Sequence, residues 1–383
     1  MAFSNGSRQA RRRFILTGFG LALLLAGCQT GRRPALPEPE PVRPVPARPA
    51  DVARNLVAVI VPTSGSEGAL GQSIANAANL ALIDSGSRTL RITVYDSAGP
   101  GGAAAAAQRA VAAGSGLILG PLLAADVRAA APVARRAGVP VVAFSNDEAV
   151  AGKGVYLMGF TPDQSIDRVV RHARTRGMAR FGVLVPTGLY GRRASQAMIT
   201  TVRKAGGKIT ALEQFDRSPA AVRSAAGRLK AKGPFDAVLV GDAGRVAAVA
   251  APVLPHAAKL LGTELWASDR SLGRTAALRG AWYAAPPDFR FGQMTTRYRA
   301  RYGRTPYRLA SLGYDAVLLA VRSSKNWPIG KAFPARALVA SDGFAGVDGS
   351  FRFNRDGIAE RLLEVRQVTA AGSTVIAPAG KAF

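Results

Sequence analysis

Catalysis needs nucleophiles, bases or metal ligands at set spacings, and this chain of 383 residues offers few. It has two histidines, His172 and His256, and one cysteine, Cys28. His172 lies in Arg-Val-Val-Arg-His-Ala-Arg, a helical stretch with a basic face that predicts a solvated imidazole. His256 follows Pro255 at an expected helix end, where a cation suits the dipole. No His-Glu-x-x-His, Cys-x-x-Cys or Gly-x-Ser-x-Gly pattern occurs, so metal-assisted and nucleophilic chemistry have no motif to rest on. Gly65, Gly68 and Gly71 have the wrong spacing for a dinucleotide loop. The expectation is a protein that is not an enzyme and uses no cofactor and no metal. What remains are polar residues directly after apolar runs: Ser64-Gly65, Ser145-Asn146-Asp147, Gly241-Asp242 and Ser268-Asp269. Hydroxyls and carboxylates in such places hold a ligand rather than transform it.

The elements that must position them are clearest between residues 115 and 147. Leu117-Ile118-Leu119 stops at Gly120-Pro121, a dipeptide that ends a strand and opens a turn. Leu123, Val127, Ala130, Ala131 and Ala134 then recur at helical spacing, and Gly138 closes the segment. Val141-Val142-Ala143-Phe144 is the next apolar run. Strand, helix and strand in about thirty residues make a βαβ unit with a right-handed crossover. Ligands of open α/β sheets sit beyond the carboxyl ends of the strands, which puts residues 120–124 and 145–147 on one rim of a cleft.

The same alternation extends both ways. Strands are expected at 56–61, 90–95 and 155–160, with helices at 70–83, 103–113 and from Asp163, as N-cap, to 176. A second series has strands at 181–185, 208–215, 235–240 and 260–266, with helices at 193–205 and 219–232. Helices follow at 289–302 and 307–322, and the chain ends in β-structure at 346–353 and 362–368, with turns at Asp348-Gly349 and Asp356-Gly357. Two strand–helix series in one chain predict two similar α/β lobes.

The N-terminal region reads as an export and anchoring device. Arg8 and Arg11-Arg12-Arg13 precede a short apolar core from 14 to 25, the pattern of a signal peptide covering 1–27. The arginines also resemble a twin-arginine motif, and an ordinary arginine-rich n-region fits equally well. Leu25-Ala26-Gly27-Cys28 looks like a bacterial lipobox, so Cys28 is the expected lipidation site. Gln29 follows where an inner-membrane retention aspartate often sits, which favours the periplasmic leaflet of the outer membrane. Residues 28–53 carry Pro34, Pro37, Pro39, Pro41, Pro44, Pro46 and Pro49, a polyproline-like linker. At ~3.1 Å per residue, its proline-rich part reaches about 60 Å. The formal charge is +27, and +23 without the four signal arginines. Outside the cytoplasm this points away from nucleic acid and towards cell-wall anions, lipid headgroups, an acidic protein face or plain solvated charge.

Six stretches, in order, resemble the type I periplasmic binding proteins, above all the leucine/isoleucine/valine-binding group. They are VAVIVPTSG (57–65), GPLLAADV (120–127), GVPVVAFSN (138–146), GLYGRRA (188–194), SLGYDAVLLA (311–320) and GVDGSFRFNRDG (346–357). The resemblance implies two Rossmann-like lobes joined by three crossovers, a Venus-flytrap. Lobe one is expected at 54–160 plus 285–342, and lobe two at 161–284 plus 343–383. It also implies hinge closure on a ligand held in the cleft by Ser64, Gly65, Leu122, Ser145, Asn146, Tyr190, Asp242 and Asp269. The family's ligand loop after the Gly-Pro turn carries hydroxyls, whereas this chain has Leu122, Leu123 and Ala124. With lipobox and stalk added, the chain is similar to the penicillin-binding-protein activator lipoproteins, although it lacks their helical-repeat domain. That similarity implies an envelope lipoprotein regulating a peptidoglycan synthase by contact. The alternative is the substrate-binding receptor of an ABC importer for amino acids or related small solutes, with an importer permease as partner.

Overall fold

The computed structural model describes residues 54–381 and 383; the expected signal peptide, the Cys28 lipidation site and the proline-rich linker lie outside them. The first sheet contains β1 (Asn55–Val61), β2 (Leu90–Asp96), β3 (Ser115–Leu119), β4 (Val141–Ala143) and β5 (Val155–Leu157), all parallel in the order β2-β1-β3-β4-β5. The helices α1 (Gly68–Ser85), α2 (Gly102–Ala112) and α3 (Ala124–Arg136) connect the first four. β1 and β3 are nearly continuous apolar runs because helices cover both faces of the sheet. α2 comes close through Ala103, Ala106, Ala107 and Ala110, all buried.

The chain then crosses over and repeats the plan. α4 (Pro162–Thr175), β6 (Arg180–Pro186), α5 (Leu189–Lys204), β7 (Lys208–Phe215), α6 (Pro219–Ala231), β8 (Ala237–Val240), α7 (Gly244–Ala250), β9 (Lys259–Gly262) and β10 (Trp282–Ala285) give the parallel order β7-β6-β8-β9-β10. It crosses back so that α8 (Phe289–Tyr302) and α9 (Ala310–Ser323) pack in the first core, through Met294, Tyr298, Leu312 and Val317. A small antiparallel sheet follows: β11 (Phe344–Gly346), β12 (Gly349–Phe353) and β13 (Ala359–Arg361). A third crossing delivers β14 (Glu364–Thr369) and β15 (Gly372–Ala377) to the β10 edge of the second sheet, both antiparallel. Two α/β lobes joined by three crossovers are therefore present.

Several sequence expectations change. The switch back to the second lobe falls near 362, not 343, because Phe344, Val347, Phe351, Phe353 and Ala359 belong to the first core. The strand expected at 260–266 stops at Gly262 and continues as a 3₁₀ helix, Glu264–Ser268. α7, β10 and β15 were not expected. α4 is capped at Thr161 with Pro162 in its first turn, so Asp163 is a first-turn acid and not the N-cap. His172 is buried rather than solvated, edge-on to Trp282 at 5.0 Å between ring centres, and its Nε2 has no hydrogen-bond partner. Burial, together with Arg176 and Arg168, lowers its pKa.

Both lobes use one device to seat the helix after their first strand. A Cβ on Gly71 would lie 1.7 Å from the Pro62 carbonyl oxygen, and one on Gly191 would lie 1.6 Å from that of Pro186. Only glycine permits this approach, which sets how closely α1 and α5 lie against their sheets. Gly191→Ala is expected to lower the unfolding free energy by at least about 1–3 kcal/mol through overpacking. A urea-unfolding midpoint unchanged from wild type would contradict this.

Candidate functional site: a cleft between the lobes

The carboxyl ends of both parallel sheets face one cavity of about 290 Å³. The first lobe contributes Glu67 and Leu70 after β1, Leu122 and Leu123 after β3, Phe144 and Asn146 after β4, and Phe160 after β5. From the second lobe come Glu264, Leu265, Ala267 and Ser268 after β9. Pro286, Arg308 and Leu309, on the return into the first lobe, complete the wall. β1 and β3 flank the point where strand order reverses in the first sheet, where such folds open a crevice.

The wall is mostly apolar, with a few polar groups converging on it, which is the composition of a small-molecule site. Glu264 is chief among them, in a chain with more than twice as many basic as acidic residues. It is 8% exposed, accepts from Tyr190 Oη at 3.1 Å on one oxygen, and from Ser165 Oγ on the other. Tyr190 Oη also lies 3.0 Å from Thr263 Oγ1, so the tyrosine locks the carboxylate in place. Burial pushes the Glu264 carboxyl up to about 7, with the hydrogen bonds opposing and Asp163 adding repulsion. A fixed, reluctantly ionised carboxylate in an apolar pocket is a receptor for a cationic or hydrogen-bond-donating ligand group.

The raised pKa has a stability consequence. Between the ordinary value of 4.5 and about 7, the folded chain binds more protons at Glu264 than the unfolded chain does. The Glu264 contribution to stability is therefore present at low pH and lost as pH rises through that window. Glu264→Gln removes the titration, so the ligand-free variant is expected to gain stability relative to wild type between pH 4.5 and 7.5. Urea unfolding at the two pH values checks this, and an unchanged difference would refute it.

The residues expected from sequence are placed as follows. Leu122 and Asn146 line the cavity. Tyr190 stands behind Glu264 and acts on the cavity through it. Ser64 is exposed, with its hydroxyl donated to Asp96 at 2.6 Å, and Gly65 forms the adjoining turn at φ +71°. Ser145 is buried and accepts the Asp147 amide at 3.1 Å, so its hydroxyl shapes its own loop. Asp242 is ion-paired to Arg217 at 2.7 Å and accepts the Ala243 amide. Asp269 accepts from the Ser271 amide and hydroxyl. The reading from sequence missed Glu67, Glu264, Phe160 and Arg308. Phe160 and Glu264 were inside expected strands, and Arg308 inside an expected helix. Among the described residues no group of His, Cys, Asp or Glu is placed to hold a metal ion, and no helix is long and apolar enough to cross a membrane.

Across the mouth the lobes are latched. Asp147, in the loop after β4, accepts from Arg193 of α5 at 3.0 Å and from Arg128 of α3. Burial opposes ionisation of Asp147, but the Ala149 amide and these guanidiniums outweigh it and hold its carboxyl below the usual range. Glu148 lies 3.9 Å from Arg193, and burial plus repulsion by Glu148 pushes Asp163 up to about 6. Ion pairs thus bridge the two lobes on this side of the cleft. Arg193→Ala is expected to remove about 1 kcal/mol of closure, read as a roughly fivefold faster ligand dissociation in stopped-flow. An unchanged off-rate would show that the latch does not hold the closed state.

Behind the cavity, a balanced charge cluster ties the crossovers together. Arg308 lies over Phe291 at 4.1 Å and ion-pairs Asp348 at 2.6 Å, at an angle unlike that of a hydrogen bond. Arg361 donates to the Met158 carbonyl at 2.6 Å and lies over Phe160 at 4.5 Å. Asp315, on α9, accepts the Val347 amide at 2.7 Å and the Asp348 amide at 3.2 Å. Burial and the neighbouring Asp348 raise the Asp315 pKa.

Comparison with known proteins agrees with this architecture. A family model described as "Periplasmic binding protein" matches residues 56–373. The structure is similar to that of a protein from Rhodospirillum rubrum, provisionally assigned as a branched-chain amino acid ABC transporter. The TM-score is 0.75 at 20% identity, covering 84% of this chain and 100% of that one. It is also similar to a solute-binding protein of an ABC transporter from R. palustris solved with benzoate. There the TM-score is 0.66 at 17% identity, covering 86% and 98% of the two chains. A Rickettsia prowazekii protein described as uncharacterized is 22% identical over 169 residues, 44% of this chain and 45% of that relative's length. Two doubly wound lobes, three crossovers, a ligand-sized cleft at the strand ends and a family match along nearly all of the described chain agree: this chain belongs to the periplasmic binding protein family.

Proposed function

We propose that the protein is the substrate-binding receptor of an ABC importer, and that it closes over an amino acid or related small solute in the cleft. The observation that carries this reading is Glu264, buried and fixed by Tyr190 and Ser165, facing an apolar cavity built by both lobes. Leu122 and Leu123, which on sequence grounds counted against a ligand site, serve here as apolar wall. The reading as an activator of a peptidoglycan synthase gains no support from this geometry or from the solved relatives, so the receptor reading takes precedence. Receptor function carries no catalytic step, and the partner is an importer permease. Export to the periplasm and lipid anchoring at Cys28, on the periplasmic leaflet of the outer membrane, complete the proposal.

A thermal-shift titration of the full chain with leucine, phenylalanine, small peptides and benzoate tests it. A solute at 100 times its Kd adds about 2.7 kcal/mol to stability, an easily seen shift. No shift with any of these compounds would count against a receptor for such solutes.

A further inference from the structure

The cavity holding Glu264 adjoins a second one of about 420 Å³. The two share Leu70, Ala267, Ser268, Arg308 and Leu309, so they lie side by side along one wall. The parts differ in charge. The inner part carries Glu67 and Glu264; the outer part has no acid and adds Arg270. Arg308 belongs to both, but its charge is already matched by Asp348. Arg270 is exposed and has no hydrogen bond or ion pair among the described residues. Between the acidic and the basic end the floor is Leu70, Leu309 and Ala267.

Glu264 and Arg270 are six residues apart, and Glu264–Ser268 is a 3₁₀ helix. A 3₁₀ helix rises about 2 Å per residue, so the backbone at Ser268 stands about 8 Å along its axis from Glu264, and Arg270 follows two residues further on in a turn. That is too far for the ammonium and carboxylate of one α-amino acid. An extended peptide advances about 3.3–3.6 Å per residue, so three residues cover the distance.

Resting on the receptor reading, we propose that the preferred ligand is a short apolar peptide of about three residues. Its N-terminal ammonium lies at Glu264, its C-terminal carboxylate at Arg270, and its side chains lie on the leucine floor. Charges at the two ends fix direction, and the apolar floor supplies affinity with little choice among aliphatic side chains.

Isothermal titration of the full chain with trileucine, trileucine amide and leucine is the test. Trileucine is expected to bind at least about tenfold more tightly than leucine, because further leucine side chains leave water. Amidation and Arg270→Ala are each expected to weaken binding about three- to fivefold, as for a partly exposed charge pair. The two changes are not additive, since the amide has no carboxylate left for Arg270. Arg270 is exposed, so its replacement leaves the fold intact. Leucine binding as tightly as trileucine, with a loss in Glu264→Gln, would overturn this inference and leave the receptor reading standing. The amide binding as well as the acid would also overturn it. No binding by any of the three would overturn both.

Discussion

Replacing Asp348 by alanine is expected to lower the unfolding free energy by about 3–5 kcal/mol, because it strands buried Arg308 and Arg361 with only Asp315 to offset them. Asp348 is fully buried, and Arg308 is 12% exposed at its side chain. The Asp348 carboxylate pairs Arg308 and its field also reaches Arg361, while Asp315, whose pKa is raised, offsets less; the Asp348 charge is what makes the burial tolerable. Removing both members of the ion pair with apolar replacements, Arg308→Met with Asp348→Leu, is expected to cost less than Asp348→Ala alone, since no charge is left unmatched. Urea unfolding of the two variants decides the matter. Equal losses, or a larger loss in the double variant, would mean that shape rather than charge holds the crossovers. The position of the cluster has a functional side, because Arg361 grips the first crossover through Met158 and Arg308 lines the cleft.

Glu264→Gln is expected to weaken binding of any ammonium-bearing ligand by about 100-fold, the scale of losing one member of a buried, hydrogen-bonded charge pair. Glutamine keeps the volume and can still meet Ser165 and Tyr190, so the loss reports charge and not packing. Titration of wild type and variant with the same ligand checks it; affinities within threefold of each other would show that Glu264 is only part of the wall. Tyr190→Phe is expected to have a smaller effect in the same direction, through the carboxylate it orients.

Much of the fold was legible because buried parallel strands are written as unbroken apolar runs. β1 is such a run, and its expected span of 56–61 lies within Asn55–Val61; β7, a half-exposed edge strand, and α8 also fall at the expected residues, 208–215 and 289–302. β10 was missed because Trp282–Ala285 is short and follows an irregular stretch of 3₁₀ turns. The handover near 362 was misplaced because residues 344–361 alternate like any β-hairpin, and alternation does not say which core they face. The site was only half legible for a related reason. Leu122 and Asn146 follow strands whose ends were visible, so their position on the rim was evident. Ser145, Asp242 and Asp269 also follow strands, yet each has its polar atoms engaged by neighbouring backbone or side chains, and residue type does not reveal such local partners. Glu264 stayed hidden because Leu260-Leu261 and Leu265-Trp266 bracket it, and apolar residues on both sides read as one strand whether or not the second half turns into a 3₁₀ helix.

The central claim is that one solute is held by both lobes at once. Hydrogen exchange of the full chain, with and without saturating leucine or trileucine, tests it most directly. The prediction is simultaneous protection at residues 122–124 and 144–147 of the first lobe and at 263–268 of the second. Protection confined to one lobe, or falling outside the cleft, would contradict it.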